Sequence, residues 1–299
     1  FVFFVFGDSF MIDILIPTIG QGLLWAILAI GVFITFRVLD LADLSVEGSF
    51  PLGAAVAASA LVSGYSITVA FVLAMIAGAL AGVVTGILTT KLKIPALLAG
   101  ILTMIALYSI NLHVMGRANI ALLRVDTVFS IITDWGLSED MTSLLVGALA
   151  VAIVGCIVYW FFGTELGTAI RATGCNDQMA RAQGVNTNSM IVLGLLISNA
   201  LVALSGALVA QSNGFADVGM GVGTIVIGLA SVIIGEVLFG AKSFLNSLIA
   251  VILGSIVYRL VIAIVLQMGM PPNDLKLFTA VLVAFALALP LIRERFAHR

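Results

Sequence analysis

Charged side chains are scarce in this chain. Aspartate, glutamate, lysine and arginine make up 9% of its 299 residues, whereas hydrophobic residues make up 62%. A soluble domain carries about 25% charged residues, so the composition excludes a water-soluble fold. Histidine and cysteine are rare too, with two of each, and their positions match neither a disulfide framework nor a metal site. No basic stripe suits nucleic acid and no catalytic constellation appears, so we expect no cofactor, no nucleic-acid partner and no enzyme acting alone.

Long uncharged stretches are what the chain has instead. Each is close to the ~20 residues that a helix needs to cross a bilayer, and the stretch 48–90 is long enough for two crossings. We therefore predict an all-α, polytopic membrane protein, folded as a single domain over residues 1–299, with about nine transmembrane helices. The predicted spans are 13–36, 44–63, 67–90, 95–115, 141–162, 189–211, 222–240, 243–268 and 273–292.

The lysines and arginines between these spans predict the orientation. Nine crossings put the termini on opposite sides, and a cytoplasmic C-terminus with an outside N-terminus satisfies the positive-inside rule. The cytoplasmic segments then hold Arg37, Lys91, Lys93, Arg171, Arg181, Lys242, Arg293, Arg295 and Arg299, against Arg117, Arg124 and Lys276 outside. The first residues lack the basic region and cleavage site of a signal peptide, so none is expected.

Two spans are irregular. The second carries Asp40, Asp43 and Glu47 near its start and Pro51 one turn later, and proline inside a membrane helix frees a carbonyl and favours a break. The stretch 212–228 is crowded with glycines, which favours close helix packing or a re-entrant turn over a phosphate loop. The outer segment 116–140 has the spacing of an interfacial helix.

Glu236 and Arg259 are charged residues within the predicted seventh and eighth spans, where each carries an insertion cost. Glu236 lies near the inner end of the seventh span, where an interfacial role is as reasonable as a functional one. Arg259 lies about 24 Å along the eighth span, so we expect it to reach the outer headgroups.

The segment 163–188, GTELGTAIRATGCNDQMARAQGVNTN, is a polar island between two apolar spans. Asn176 suits a helix N-cap, Asp177 places negative charge in the first turn, and Gly184 suits the left-handed position after the last turn. Small apolar residues beside Arg171 and Arg181 suit a helix that lies in a partner's groove. A plain solvated loop is the alternative.

These residues resemble the permeases of ABC importers of the branched-chain amino acid, ribose and nucleoside type. The polar island is similar to the family's coupling-helix loop, and LADLSVEGSFPLGAAVAA (41–58) resembles its broken second helix. Residues 219–240 are similar to its glycine-rich segment, and the likeness extends over about residues 20–290, closest to the subgroup for aromatic or other amino acids. The positions that match the coupling loop are Arg171, Ala172, Gly174, Asn176, Asp177, Ala180, Arg181 and Gly184.

The resemblance implies a bacterial inner-membrane permease, expected as a homodimer with a translocation path near its axis. Two separate cytoplasmic ATPase subunits would grip the helix within 175–184, hydrolyse ATP and drive a small neutral or zwitterionic solute inward. An amino acid is favoured, and a sugar or nucleoside is possible. An extracellular or periplasmic substrate-binding protein would dock on the outer loops 116–140 and 269–276.

Seven polar residues are candidates for the translocation path, with interhelical hydrogen bonding as the commoner use of such residues. They are Asp43, Ser45, Glu47, Asn111, His113, Asn199 and Gln211. Secondary transporters usually carry a carboxylate for ion coupling, and Asp43 and Glu47 are candidates. An ATPase-independent secondary transporter or channel is therefore the alternative function.

Overall fold

The computed structural model describes residues 8–134, 136–269, 271, 274, 277–281, 283, 284 and 288. Most of the described residues are helical. Most of the long helices begin and end within a few residues of the predicted spans. The ninth predicted span, 273–292, lies largely outside the described residues. The long helices are α1 (Asp8–Phe33, continued by a π-helical turn Ile34–Val38), α2 (Val46–Val62), α3 (Ile67–Thr90), α4 (Ala96–Met115), α6 (Glu139–Phe162), α9 (Thr187–Asn213), α10 (Thr224–Phe239) and α11 (Phe244–Gln267). The short ones are α5 (Val128–Thr133), α7 (Glu165–Cys175) and α8 (Asp177–Ala182).

Seven of the described helical segments are long and apolar enough to cross a membrane. They are Ile14–Val38, Ile67–Thr90, Ala96–Met115, Glu139–Phe162, Thr187–Asn213, Val218–Phe239 and Phe244–Gln267. The prediction of a polytopic helical membrane protein is confirmed. Helix α2 is apolar but has only 17 residues, about 25 Å at helical rise, so it falls short of a full crossing by itself.

The centre of the bundle is formed by α1, α2 and α9. Helix α9 packs against α3, α2 and α1, and most of its residues after Gly194 are buried. Helix α2 is buried along nearly its whole length. The flanking helices α3, α4 and α6 keep broad apolar faces exposed, as expected of surfaces that meet lipid or another apolar partner.

Helices α3 and α9 approach each other closely because glycines line the contact. A Cβ atom on Gly82 would overlap the carbonyl oxygen of Leu195, and a Cβ on Gly86 would lie 2.9 Å from the Cα of Val192. Without a side chain the two backbones can touch, which increases the van der Waals contact that holds membrane helices together. Glycines four residues apart lie on one side of a helix and form a packing face of this kind.

We expect the substitution Gly82→Ala to destabilise the bundle by about 1–3 kcal/mol, because an added methyl forces α3 and α9 apart. The matched control is Gly155→Ala in α6, where the new Cβ would meet only Leu248 Cδ2, at 4.0 Å. Thermal unfolding in detergent checks this, and equal midpoints for the two variants would contradict the close contact.

The break in the second span is not where the sequence placed it. Helix α2 runs uninterrupted through Pro51, and the non-helical stretch is 39–45, before the helix begins. Pro51 is only in the second turn, so the ring deprives α2 of one hydrogen bond, to the carbonyl of Glu47. That carbonyl and the proline ring pack directly on Gly221, where a Cβ would overlap the oxygen.

The segment 116–140 holds a short helix rather than one long interfacial helix. Strand β1 (Asn119–Ala121) pairs antiparallel with β2 (Phe215–Asp217), with Ile120 opposite Ala216. Helix α5 follows, with a capping box between Thr127 and Ser130. The glycine-rich stretch after α9 thus folds as β2 and a 3₁₀ turn, Val218–Gly221, ahead of α10.

Candidate functional site

The polar segment 163–188 folds as two consecutive capped helices, α7 and α8. The Asn176 side chain accepts a hydrogen bond from the backbone N–H of Met179 at 2.9 Å and so caps α8. Gly184 adopts φ +87° just after α8, a conformation that glycine adopts without strain. The predicted N-cap and left-handed glycine are therefore confirmed.

Helix α7 is docked on the ends of the long helices. Its Ile170 is fully buried, and its Gly174 lies against the backbone of Val38, where a Cβ would overlap the carbonyl oxygen. On the other side, the Arg171 guanidinium lies 5.2 Å from the ring centroid of Phe244, at the start of α11. Helix α7 therefore contacts both the π-helical end of α1 and the start of α11.

The coupling-loop positions named from the sequence divide into two groups. Exposed positions are Arg171, Ala172, Asn176, Asp177, Arg181 and Gly184. Gly174 is half-buried at the Val38 contact, and Ala180 is buried at 5% exposure. Of the positions that match the coupling loop, Ala180 does not present its side chain to a partner: its methyl group faces the chain's own interior, because a short helix lying on the bundle buries one side.

The exposed side of α8 is ordered by two polar contacts. Arg181 forms a salt bridge with Asp177, one turn away, at 3.3 Å, and its Nε donates to the hydroxyl of Thr187 at 2.7 Å. The neighbouring Met179 side chain is 58% exposed. A cation, an anion and an exposed thioether form a small mixed surface of the kind that a partner groove accepts.

An ion pair that the sequence did not reveal lies beside α7. Nε of Arg37 donates to both carboxylate oxygens of Glu236, at 2.8 and 2.9 Å, and Nη2 also contacts Oε2. The pair joins the π-helical turn after α1 to the end of α10. It borders a cavity of about 570 Å³ that also meets Arg171, Gly174 and Lys242. Glu236 thus has a partner inside the chain.

Three of the predicted path residues meet in one buried network between α2 and α9. Asp43 Oδ1 accepts from the backbone N–H of Ser45 at 2.9 Å and from its hydroxyl at 2.5 Å. Asp43 Oδ2 accepts from Asn199 Nδ2 at 2.9 Å, and Asn199 Oδ1 accepts from the hydroxyl of Ser49 at 2.5 Å, with the Ser45 hydroxyl oxygen 3.1 Å away. Both carboxylate oxygens and both amide atoms are bonded, which favours a structural use.

We expect Asn199→Ala to destabilise the protein by about 1–3 kcal/mol for each polar group that it leaves unpaired. The control is Asn188→Ala at the exposed start of the same helix, where a change within about 0.5 kcal/mol is expected. Unfolding midpoints measured side by side check the difference, and a neutral Asn199→Ala would show that the network carries little stability.

The other predicted path residues are dispersed. Gln211 accepts from the backbone N–H of Val128 at 3.1 Å, and His113 is exposed on α4 with Nδ1 2.8 Å from the Ser109 carbonyl oxygen. Glu47 and Asn111 both line a cavity next to the start of α2. Five of the seven predicted path residues therefore fall into two groups. Asp43, Ser45 and Asn199 share one hydrogen-bond network, and Glu47 and Asn111 line one cavity.

The side chain of Arg259 packs on an aromatic ring of α1. Its guanidinium carbon lies 4.2 Å from the ring centroid of Trp25 in α1, and its Nε is buried. A cation over an indole face gains electrostatic attraction that offsets part of the cost of leaving water. The charge is accommodated inside the bundle by an aromatic ring.

Known proteins are similar to this chain over most of its length. The family described as branched-chain amino acid transport system, permease component, matches residues 14–287. A tyrosine transport system permease protein of Clostridioides difficile strain R20291 is 42% identical over 274 residues, 92% of this chain and 90% of that protein. An uncharacterized protein of Rickettsia prowazekii strain Madrid E is 34% identical over 286 residues, 92% of this chain and 97% of that protein.

One solved structure shares the fold. It is described as an inward-facing conformation of a metal-chelate type ABC transporter, with a TM-score of 0.50 and 16% identity, over 94% of this chain and 85% of that one. The likeness concerns the arrangement of the helices.

The membrane-crossing helices and the family match together define a multi-pass transport permease. The chain belongs to the family of permease components of branched-chain amino acid transport systems, which matches nearly its whole length. It is a subunit of a transport system and not a member of a catalytic family.

Proposed function

We propose that this chain is the membrane-embedded subunit of an importer that carries an amino acid into the cell and is driven by separate ATPase subunits. The observation that carries the proposal is the contact of α7 with both the end of α1 and the start of α11. A force applied to the exposed surface of α7 and α8 reaches the spanning helices through that contact. No nucleotide-binding motif occurs in the chain, so the energy source lies in a partner.

The proposed assembly contains two identical permease chains and two cytoplasmic ATPase subunits. Each ATPase subunit engages α8 of one permease chain, and a substrate-binding protein delivers the solute from outside. The bias of lysine and arginine supports a cytoplasmic C-terminus and an outside N-terminus. In this orientation the exposed Arg171, Asp177, Met179 and Arg181 face the cytoplasm.

The substrate is a small zwitterionic amino acid. The relative at 42% identity is described as a tyrosine transport permease, and its similarity over most of both chains supports an amino acid over a sugar or nucleoside.

Reconstitution tests the proposal. The permease, co-expressed with an ATPase subunit and placed in proteoliposomes with the substrate-binding protein, should accumulate a labelled amino acid only when ATP is supplied on the ATPase side. A catalytically inactive ATPase is the control and should abolish uptake. Uptake driven by an ion gradient, with no ATPase present, would instead establish a secondary transporter.

A further inference from the structure

A cavity of about 410 Å³ lies between the start of α2, the middle of α4 and the 3₁₀ turn before α10. Its volume falls in the range of small-molecule sites. The walls are mainly apolar, with Pro51, Met104 and Val222, and they include the aromatic ring of Tyr108. The cavity is separate from the one that borders the Arg37–Glu236 pair.

The charged group of this cavity is the carboxylate of Glu47. Its Oε1 accepts a hydrogen bond from the backbone N–H of Gly223 at 3.1 Å, and no side chain in the described part of the structure forms a salt bridge with it. A carboxylate in a membrane region without a cation partner is costly, and such groups typically line a substrate or water pathway.

Asn111, which also lines this cavity, carries an unsatisfied acceptor. The residue is fully buried, and its Nδ2 donates to the backbone carbonyl of Gly48 at 3.3 Å. A carbonyl can only accept, so the amide must present its NH₂ group there, which leaves Oδ1 as the free atom. No hydrogen-bond partner satisfies that oxygen, and an unpaired buried acceptor in a native fold calls for an explanation.

The cavity combines two hydrogen-bond acceptors, the Glu47 carboxylate and Asn111 Oδ1, with apolar and aromatic walls. This combination suits a ligand that has a cationic donor group and an apolar body. We propose that this cavity binds the α-ammonium group of an amino acid, paired with Glu47 and Asn111, with the amino-acid side chain against Met104 and Tyr108. The inference rests on the proposed function and deepens it, because it assigns recognition of the amine to two residues of the permease itself.

Equilibrium binding to the permease–ATPase complex in lipid nanodiscs, without the substrate-binding protein, tests the proposal. L-tyrosine and tyramine, which both carry the amine, should bind at least ~10-fold more tightly than the deaminated analogue 3-(4-hydroxyphenyl)propionate, because only they can pair with Glu47. Glu47→Gln should weaken binding of both amines by about 10- to 100-fold, the range for hydrogen bonds to charged groups. The same variant should bind the deaminated analogue no more weakly than the wild type does.

Two further variants separate charge from folding. Glu47→Asp keeps the carboxylate and should retain a preference for amines, whereas Asn111→Ala should weaken amine binding by about 3- to 10-fold. Equal binding of L-tyrosine and its deaminated analogue would overturn the proposal, as would wild-type affinity in Glu47→Gln. So would the absence of saturable binding of L-tyrosine, L-phenylalanine and L-leucine to the wild type.

The outcome is distinguishable from failure of the proposed function. ATP-driven uptake by the reconstituted wild type without any amine preference in the cavity would overturn the inference alone. Amine-selective binding that depends on Glu47, in a protein whose uptake needs no ATPase, would overturn the proposed function alone.

Discussion

Gly174→Ala is expected to lower ATP-driven transport by about 5- to 150-fold, the range of typical coupling free energies between sites, while ATP hydrolysis continues. A methyl group at this position would overlap the carbonyl oxygen of Val38. Because the obstacle is backbone, α7 must move away from the end of α1. The measurement is transport per ATP hydrolysed in proteoliposomes, and the ratio should fall.

The control for this variant is Gly155→Ala, the same substitution at a position with open space around the new methyl group. It should transport as the wild type does. Unfolding midpoints and the amount of ATPase bound show whether Gly174→Ala remains folded and assembled. A folded, assembled Gly174→Ala complex with an unchanged transport ratio would mean that the α7–α1 contact does not transmit force.

Reversing the charge at Arg37 is expected to destabilise the protein by about 1–3 kcal/mol and to reduce transport. Breaking a fully buried pair costs about 3–5 kcal/mol, but the Arg37 side chain is 51% exposed and that of Glu236 is 11% exposed. Solvent screening at the arginine therefore reduces the cost. Arg37→Glu places two carboxylates together where α1 and α10 meet, and the double variant Arg37→Glu with Glu236→Arg should regain most of the loss.

The salt bridge between Asp177 and Arg181 provides a matched comparison. Both of its side chains are more than half exposed, at 52% and 56%, so Asp177→Asn should change the free energy of unfolding by only about 0.3–0.5 kcal/mol. A double-mutant cycle on each pair, followed by thermal unfolding, gives the two interaction energies. Equal energies would contradict the expectation that the less exposed Arg37–Glu236 pair contributes more to stability.

The sequence was sufficient for the helices and for the caps of the polar segment. Helix α3 was predicted at 67–90 and is found at Ile67–Thr90, because a charged segment containing Lys91 and Lys93 ends the apolar run. Asn176 and Gly184 could be assigned because a cap and a left-handed glycine each depend on local backbone geometry. Local signals of this kind need no knowledge of the rest of the fold.

Contacts between distant segments could not be predicted. Arg37 and Glu236 are 199 positions apart, and neither has a periodic pattern that points to the other. Ala180 lies in a helix too short to show which side is buried. The unsatisfied oxygen of Asn111 is evident only once the Gly48 carbonyl is located.

The site itself was predicted unevenly for the same reason. Asp43, Ser45 and Asn199 stand out in the sequence as polar residues in apolar segments, and the fold brings them into one saturated network. Glu47 and Asn111 stand out in the same way, and the fold leaves them beside a cavity. A polar residue in a membrane span indicates a structural or functional role, and its partners on other helices determine which of the two it is.

Cysteine cross-linking tests the central claim, that the polar segment 163–188 receives the ATPase. The chain has two cysteines, both exposed: Cys175 at the C-terminal end of α7, and Cys156 in the spanning helix α6. A thiol-to-lysine cross-linker applied to the assembled complex should join permease and ATPase in the Cys156→Ser variant, which keeps Cys175, and not in Cys175→Ser. An ATPase adduct that persists in Cys175→Ser, or a Cys175 adduct formed with the extracellular binding protein, would contradict the account.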